Sequence, residues 1–220
     1  SSLSGTAQPS TKLSLQANLQ SDSTVDAGYS AGDMTAGNVT PDFTRTFNVY
    51  DSQGGQQPVT FSFVKTGANA WAYEAGYSGA AANITGSNPI SQGTVAFNPD
   101  GTLANVNGAA PASSSLSLTL PWSAASGLSA QTIAVNLGTI GGTSGLTQYD
   151  TASVLNGASS DGSAFGSVTG VSIAKDGTVT AQFSNGLSQN VYKVPLATFT
   201  DPDGLAQITG NAYVATKGSG

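Results

Sequence analysis

The chain has 220 residues, of which 12 are acidic and 6 basic, and it contains no histidine and no cysteine. Those absences exclude a Ser-His-Asp triad, a thiol nucleophile, a disulfide framework and a structural zinc site of the usual Cys and His type. A net charge of −6 and singly scattered basic residues argue against a nucleic-acid partner, because phosphate binding needs clustered Lys and Arg. No apolar run reaches the ~18 residues of a membrane span, so we predict no membrane insertion.

Apolar and polar residues alternate with a period of two along the whole chain, which predicts strands with one buried face. The first such run places Leu13, Leu15, Ala17 and Leu19 on one face. The later runs, in chain order, are Phe47 and Val49; Val59, Phe61 and Phe63; Trp71, Tyr73, Ala75 and Tyr77; Leu116, Leu118 and Leu120; Ile133, Val135 and Leu137; Val171 and Ile173; Val179, Ala181 and Phe183. No window keeps helical spacing, so the sequence predicts an all-β fold of antiparallel strands.

Asp-Gly and Asn-Gly pairs separate these runs and predict tight turns, because both residues of such a pair tolerate positive φ. Glu74 is the only glutamate among the 12 acidic residues, and aspartate is typical of turns. The pairs are Asp100-Gly101, Asn107-Gly108, Asn156-Gly157, Asp161-Gly162, Asp176-Gly177, Asn185-Gly186 and Asp203-Gly204.

Two stretches rich in small and polar residues, 20–40 and 138–165, resemble connections between domains. They predict a middle β domain over 24–145, either a barrel or a sandwich. This domain is inserted into a discontinuous outer β domain formed by 1–23 and 146–220.

Two S-x-x-K matches, Ser62 with Lys65 and Ser172 with Lys175, lie in alternating sequence. A Ser/Lys nucleophile pair needs both side chains on one face, and residues three apart on a strand point to opposite faces. We therefore interpret both lysines as surface residues at strand ends.

Asp201-Pro202-Asp203-Gly204 lacks the terminal glutamate of an EF-hand calcium loop and is better interpreted as a turn. The remaining acidic candidates are solvating charges in a polar stretch: Asp22, Asp26 and Asp33. We predict no catalytic residue, no metal site and no cofactor, and hence a protein that is not an enzyme.

Trp71, Tyr73 and Tyr77 share one strand face. Such a row either binds a sugar or, more often, belongs to the core. Asn38-Val39-Thr40 and Asn83-Ile84-Thr85 are formal glycosylation sequons, which matter only in a secreted eukaryotic protein.

Two blocks of residues resemble the bacterial flagellar hook protein family. The first is Val49-Tyr50-Asp51-Ser52-Gln53-Gly54, followed by 61–66 and then by Asn69, Trp71 and Tyr73. The second consists of Gly170, Ile173, Asp176-Gly177, Ser184-Asn185-Gly186, Pro195-Leu196-Ala197, Phe199, Pro202, Gly204-Leu205, Gly210-Asn211 and Ser219-Gly220. The resemblance is strongest over 43–73 and 165–220, and residues 78–160 match only in composition and strand pattern.

The resemblance implies a structural subunit of the flagellar hook, the curved extracellular tube that acts as a universal joint between basal body and filament in bacterial motility. Hook proteins self-assemble and, at full length, meet other axial proteins of the rod, the hook cap and the hook-filament junction. They leave the cell without a cleaved signal peptide. Their terminal helical segments do not appear in this sequence, so the resemblance implies the outer, β-rich portion, which we expect to be monomeric in isolation.

Three rival interpretations remain open: another axial protein of the distal rod or the hook-filament junction, a surface carbohydrate-binding β module, and a hydrolase using aspartates. Only 8% of residues are charged, against about 25% in a typical soluble domain. A surface of small polar residues offers weak, exchangeable contacts that suit a joint. We expect the turns at 100–108 and 156–162, with exposed loops of the middle domain, to form the subunit contacts.

Overall fold

The computed structural model describes residues 5–108, 112–195, 198–210 and 212–220. Two compact units share these residues: Thr6–Phe165, here the large body, and the chain from Gly166 onwards together with Gly5, here the small body. Leu196, Ala197 and Asn211, which carry part of the family resemblance, lie outside the described residues.

Strands dominate both bodies, which confirms the all-β prediction. The only α-helix among the described residues is α1 (Asp33–Ala36), and 3-10 turns occur at Ala81–Asn83, Ala124–Ser126 and Pro202–Gly204. The strands are β1 (Thr6–Gln8), β2 (Lys12–Asn18), β3 (Phe43–Tyr50), β4 (Gln56–Gly67), β5 (Ala70–Tyr77), β6 (Ser91–Phe97), β7 (Leu103–Val106), β8 (Ser115–Leu120), β9 (Gln131–Asn136), β10 (Leu146–Thr147), β11 (Val154–Ser160), β12 (Ser163–Gly166), β13 (Val168–Ile173), β14 (Thr178–Phe183), β15 (Ser188–Lys193), β16 (Ala206–Ile208) and β17 (Ala212–Val214). Within the described residues, no helix has the length and hydropathy needed to cross a membrane.

One sheet of the large body, here the meander sheet, runs β3-β4-β5-β6-β7 in sequence order with antiparallel neighbours. Phe61 on β4 pairs with Arg45 on β3 and Ala75 on β5, so the odd-numbered residues of all three strands share the inner face. Short connections between consecutive strands explain the antiparallel pairing.

The second five-stranded sheet, here the crossed sheet, is built around β2, and β1 and β12 form a separate two-stranded sheet. Strands β8 and β9 pair antiparallel, as do β2 and β11, whereas β2 pairs in parallel with both β9 and β10. The sequence predicted antiparallel strands throughout, and these two pairs are the exception. The chain leaves β2, builds the whole meander sheet and then returns to β9, and a connection of that length permits parallel pairing.

A single hydrophobic core lies between the two sheets. Leu15 and Ile133 enter it from the crossed sheet, and Phe61 and Trp71 enter it from the meander sheet. All four side chains are at most 1% exposed. Because the alternation on each strand has its apolar face directed to this core, the predicted strand faces from Leu13 to Leu137 are buried as expected.

The structure divides the chain elsewhere than the sequence predicted. The predicted outer domain took residues 1–23 and 146–220, but β2, β10 and β11 belong to the large body. There β2 pairs with both β10 and β11, and Leu146 on β10 is completely buried in the core of the large body. The polar stretch 138–165 misled the prediction because much of it is a β-bridged turn and an edge strand rather than a linker.

The other predicted connection, 20–40, also packs within the large body. Residues 24–42, here the strap, contribute α1 to the outer face of the meander sheet. Met34 packs there with Val64 and Ala72 in a second, smaller hydrophobic cluster, against which Tyr29 and Val39 are partly buried. Small polar residues therefore made the strap resemble a linker although a few apolar side chains fix its position.

The small body contains a three-stranded antiparallel sheet, β13-β14-β15, and a separate hairpin of β16 and β17. Gly177 and Gly186 occupy the turns between the three strands with φ of 82° and 83°. The Asp-Gly and Asn-Gly signals therefore mark these two turns correctly.

Candidate interaction surface

The outer face of the meander sheet carries a polar arrangement that is centred on Glu74. This carboxylate lies on β5 and is completely buried. Its Oε1 accepts hydrogen bonds from the Tyr29 hydroxyl at 2.9 Å, the Gly32 amide at 2.9 Å and the Met34 amide at 3.2 Å. Its Oε2 accepts from the Thr35 amide at 2.7 Å. One side chain of the sheet thus accepts four hydrogen bonds from the strap.

The electrostatics of this contact favour the charged carboxylate. Burial acts to raise the pKa of Glu74, but the hydrogen bonds from Thr35, Tyr29 and Met34 outweigh it and lower the pKa below its ordinary value. Burial, followed by the hydrogen bond to Glu74, raises the pKa of Tyr29, so this hydroxyl remains a donor at neutral pH.

Next to the strap an open groove of about 340 Å³ crosses the outer face. It carries no charged side chain and is lined by Met34, Thr35, Pro41, Thr44, Thr60, Ser62, Gly76, Tyr77, Ser78 and Asn88. The strap forms one wall and the strands β3, β4 and β5 form the floor.

Hydroxyl groups pair across the floor of this groove and beside it. Thr44 and Ser62 are 3.1 Å apart at their hydroxyl oxygens, Thr46 and Thr60 are 2.7 Å apart, and Thr60 and Ser78 are 2.6 Å apart. Each hydroxyl can both donate and accept hydrogen bonds. The face therefore offers many weak hydrogen-bonding positions and no fixed charge.

Charged groups interact little with one another anywhere in the described part of the chain. The one ion pair found there joins Lys193 and Asp176 at 4.0 Å, with both side chains well exposed. Lys65 is buried at the margin of the core and donates to the Ser21 carbonyl oxygen. An exposed ion pair such as Lys193 with Asp176 contributes ~0–1 kcal/mol to stability. Ion pairs therefore contribute little to the energetics of this surface.

The predicted contact turn at 100–108 is only partly available to a partner. Gly101, Leu103 and Val106 are buried, whereas Asn107 and Gly108 are exposed in a turn with φ of 57° and 60°. A Cβ at Gly101 would approach the Gln148 carbonyl oxygen to 2.5 Å, so this glycine packs against the body's own chain.

The predicted contact turn at 156–162 is mostly strand β11, and Asp161 and Gly162 connect it to β12. Gly157 lies next to a register shift between β11 and β2 and has no positive φ. Asn156-Gly157 was therefore wrong as a turn, since an Asn-Gly pair also accommodates a bulge. Gly162 and Gly204 likewise lack the predicted positive φ.

The candidate chemical motifs do not assemble into a reactive site. Ser62 bonds to Thr44 on the outer face, while Lys65 reaches Ser21 from the inner face. Lys175 lies in the exposed turn after β13, not beside Ser172 on the strand. Among the described residues, no group of three or more His, Cys, Asp or Glu side chains could hold a metal ion.

Three of the acidic candidates, Asp201, Asp26 and Asp33, accept hydrogen bonds from nearby backbone amides. Asp201 accepts a hydrogen bond from the Asp203 amide at 3.1 Å, as the turn interpretation expects. Asp26 accepts from the Gly28 amide, and Asp33 accepts from the Ser30 amide, both at 2.9 Å. Asp22 is exposed.

The aromatic row on β5 belongs to the core. Trp71, Tyr73 and Tyr77 are 0%, 1% and 4% exposed, and the Trp71 indole donates to Gln148 Oε1 at 2.6 Å. A sugar platform needs exposed rings, so the row cannot act as one. Of the two sequon asparagines, Asn38 is exposed and Asn83 is partly buried.

The small body exposes an apolar sheet face. Ile173 on β13 pairs with Val179 on β14, which pairs with Tyr192 on β15, so these side chains share one face of the sheet. Ile173 is 68% exposed and Tyr192 is 65% exposed, and Val171 beside them is 53% exposed. An exposed apolar face, when it is large and contiguous, marks an interaction surface.

Sequence reasoning missed Glu74, the residue that organises the outer face. A signal was present, since the only glutamate of the chain lies inside an apolar strand run, Trp71 to Tyr77. A charged residue at that place is buried only when donors surround it. The donors come from the strap, which the sequence did not place near β5.

Comparison with known proteins gives a consistent set of relatives. The model of the flagellar basal body protein FlaE D2 domain matches residues 18–163. The flagellar hook protein FlgE of Caulobacter vibrioides is 34% identical over 204 residues, which cover 83% of this chain and 34% of that protein. FlgE of Rhizobium meliloti is 33% identical over 92% of this chain and 48% of its own length. The chain thus spans a third to a half of the length of these relatives.

Among solved structures, a 32 kDa fragment of FlgE from Caulobacter crescentus has 26% identity and a TM-score of 0.49, covering 62% of this chain and 53% of that one. Helicobacter pylori FlgE2 has 18% identity and a TM-score of 0.48, covering 80% of this chain and 37% of that one.

Proposed function

This chain belongs to the bacterial flagellar hook protein family, and from that premise we propose that it is part of a structural subunit of the flagellar hook. The subunit self-assembles into a flexible extracellular tube that transmits torque from the basal body to the filament. The match of the D2 domain model to residues 18–163 carries the proposal, because it spans most of the large body.

The surface of the large body suits a joint that bends while it turns. Subunits in such a joint must slide among nearly equal arrangements, so no single contact can dominate the interface. Hydroxyl pairs such as Thr46 with Thr60, and a groove without charged groups, offer weak and exchangeable contacts. Large aromatic side chains, which anchor fixed interfaces, are buried at Phe61, Trp71 and Tyr73.

The small body forms, in this proposal, part of a discontinuous outer domain, the first globular domain of the hook protein. Its exposed face around Ile173 and Tyr192 supports this, since a partner segment of the same protein would bury it. The outer domain predicted from the sequence comprises 1–23 and 146–220, and the small body from Gly166 onwards lies within its second segment.

The proposed partners follow from the proposed role. In the full-length protein they are further copies of the subunit and the axial proteins of the rod, hook cap and hook-filament junction. The subunit is exported without a cleaved signal peptide to the extracellular hook. It has no catalytic, cofactor or metal site and works only as a structural element.

Immunogold electron microscopy on purified hook–basal-body complexes of the source bacterium tests the proposal. Antibodies raised against the 220-residue chain should label the hook along its length and leave rod, junction and filament unlabelled. Antibody pre-adsorbed with the purified chain is the control. Gold confined to the rod or to the hook-filament junction would instead support the rival assignment to another axial protein.

A further inference from the structure

We propose that Glu74 is an ionic latch: its buried carboxylate holds the strap closed over the meander sheet, and neutralising it opens the strap while the main core stays folded. The groove beside the strap then exists only in the latched state. The inference concerns the folding of the large body and stands independently of the role in the hook.

The latch rests on the concentration of contacts at one side chain. A hydroxyl and three backbone amides of the strap, from Tyr29 to Thr35, all donate to the same carboxylate. Hydrogen bonds to a charged acceptor are about twice as strong as neutral ones. Protonation of Glu74, or its replacement by glutamine, removes the negative charge. It also turns one acceptor of the side chain into a donor, which then faces only the donors of the strap. Several contacts therefore weaken together.

Apart from Glu74, the strap is held at its two ends and by a small apolar cluster. At the ends, the Asp26 amide donates to the Lys65 carbonyl oxygen and the Lys65 amide donates to Asp42 Oδ2, both at 2.8 Å. The apolar cluster consists of Met34, Val64 and Ala72 with partly buried Tyr29 and Val39, and it is separate from the main core. Elements with few buried apolar contacts open at a lower free energy than the global unfolding transition. Opening of the strap alone is thus the expected response to loss of the latch.

Few other ionisable groups lie close enough to Glu74 to influence its charge. From the strap, Tyr29 donates to it, and Asp33 lies close enough to influence Tyr29. From the flanking strands β4 and β6, its pairing partners are Ser62 and Gln92, which are uncharged. With no cation facing it in these contacts, the carboxylate depends on the strap's own donors.

The direction of the pH effect follows from the lowered pKa of Glu74. A group with a depressed folded-state pKa stabilises above its ordinary value, and this contribution is lost as the pH falls through the folded-state value. The strap should therefore be closed at neutral pH and open in acid before the core unfolds.

Hydrogen exchange of the 220-residue chain, resolved by residue and corrected for intrinsic rates, provides the test. At neutral pH, Glu74→Gln should accelerate exchange of the strap amides of Met34 and Val39 about 10- to 100-fold, the loss expected for a hydrogen bond to a charged group. Core amides such as that of Phe61 should keep their wild-type rates. Asp150→Asn, at an exposed carboxylate, is the matched control and should change neither.

Wild-type protein taken to acid pH should approach the strap exchange of Glu74→Gln, whose own exchange should not depend on pH. If Glu74→Gln does not fold, Tyr29→Phe removes one donor and should still accelerate strap exchange selectively. Unchanged strap exchange in the folded variants, or strap and core amides exchanging together, would overturn the latch.

Discussion

At the scale of single residues, two carboxylates organise backbone that would otherwise lack partners. Glu74 gathers the amides of the strap, and Asp161 gathers those at the start of β2. Asp161 Oδ1 accepts from the Thr11 amide at 2.7 Å and the Lys12 amide at 2.9 Å, and its Oδ2 accepts from the Thr11 hydroxyl at 2.5 Å. The connection between β11 and β12 is thereby bonded to residues some 150 positions earlier in the chain.

Asp161→Ala should lower the free energy of unfolding at neutral pH by about 1–2 kcal/mol, because it removes hydrogen bonds to a charged acceptor at an exposed site. Burial acts to raise the pKa of Asp161, but the hydrogen bonds from Thr11 and Lys12 outweigh it and lower that pKa. Its contribution is therefore present above the ordinary aspartate value and is lost as the pH falls through the folded-state value.

Urea unfolding of Asp161→Ala and wild type at neutral and acid pH measures this difference. Asp150→Ala is the control, as Asp150 is also exposed. A deficit for Asp161→Ala that is equal at both pH values would show that the charge of the carboxylate does not matter.

At the scale of elements, the alternating strands follow the sequence closely and the connecting segments do not. On β8, Leu116, Leu118 and Leu120 are buried and the intervening residues are exposed, as the alternation predicted. The strap and β11 were both interpreted as connections. Their positions depend on distant partners, Glu74 for the strap and β2 for β11, and no local pattern encodes a distant partner.

Leu118→Ala should destabilise the large body by about 2–5 kcal/mol, because Leu118 is completely buried and its removal leaves a cavity between the sheets. Its neighbour Ser117 is exposed, so Ser117→Ala should change stability by less than about 0.5 kcal/mol. Thermal unfolding of both variants makes the comparison. Similar losses at the two positions would contradict the assigned strand faces.

At the scale of the whole molecule, the proposed function depends on weak contacts between the uncharged polar surfaces of neighbouring subunits. Thr46 on β3 and Ser159 on β11 are exposed hydroxyl residues on the two sheets of the large body. Thr46→Lys and Ser159→Lys each place a charge where the native surface has none.

In the full-length protein, these charges should alter hook curvature or swimming while changing the stability of the isolated chain by less than about 0.5 kcal/mol. Electron microscopy of hooks and motility assays provide the measurement, with Thr46→Ser and Ser159→Thr as uncharged controls. Normal hooks and normal swimming in every charged variant would rule out the sliding-surface proposal.

The isolated 220-residue chain should sediment as a monomer at modest concentration. Contacts that are individually weak and exchangeable do not hold two free subunits together, because association has a large entropic cost. Sedimentation velocity tests this, and a sharp oligomer peak would contradict it. Ile173→Asp, on the apolar face of the small body, then shows whether that face is the cause of association.

The sequence by itself determined the all-β class, the buried strand faces of the large body and the family resemblance. These depend on local features: a period of two in hydrophobicity, turn residues at fixed positions and short residue blocks. The sequence was wrong for Val171 and Ile173, which were predicted on a buried face and are exposed. Only the tertiary structure decided the parallel pairing of β2, the division after Phe165 and the capture of the strap by Glu74. Each of these joins segments far apart in the chain, and such pairings are selected by shared burial and hydrogen bonding, which single stretches of sequence do not contain.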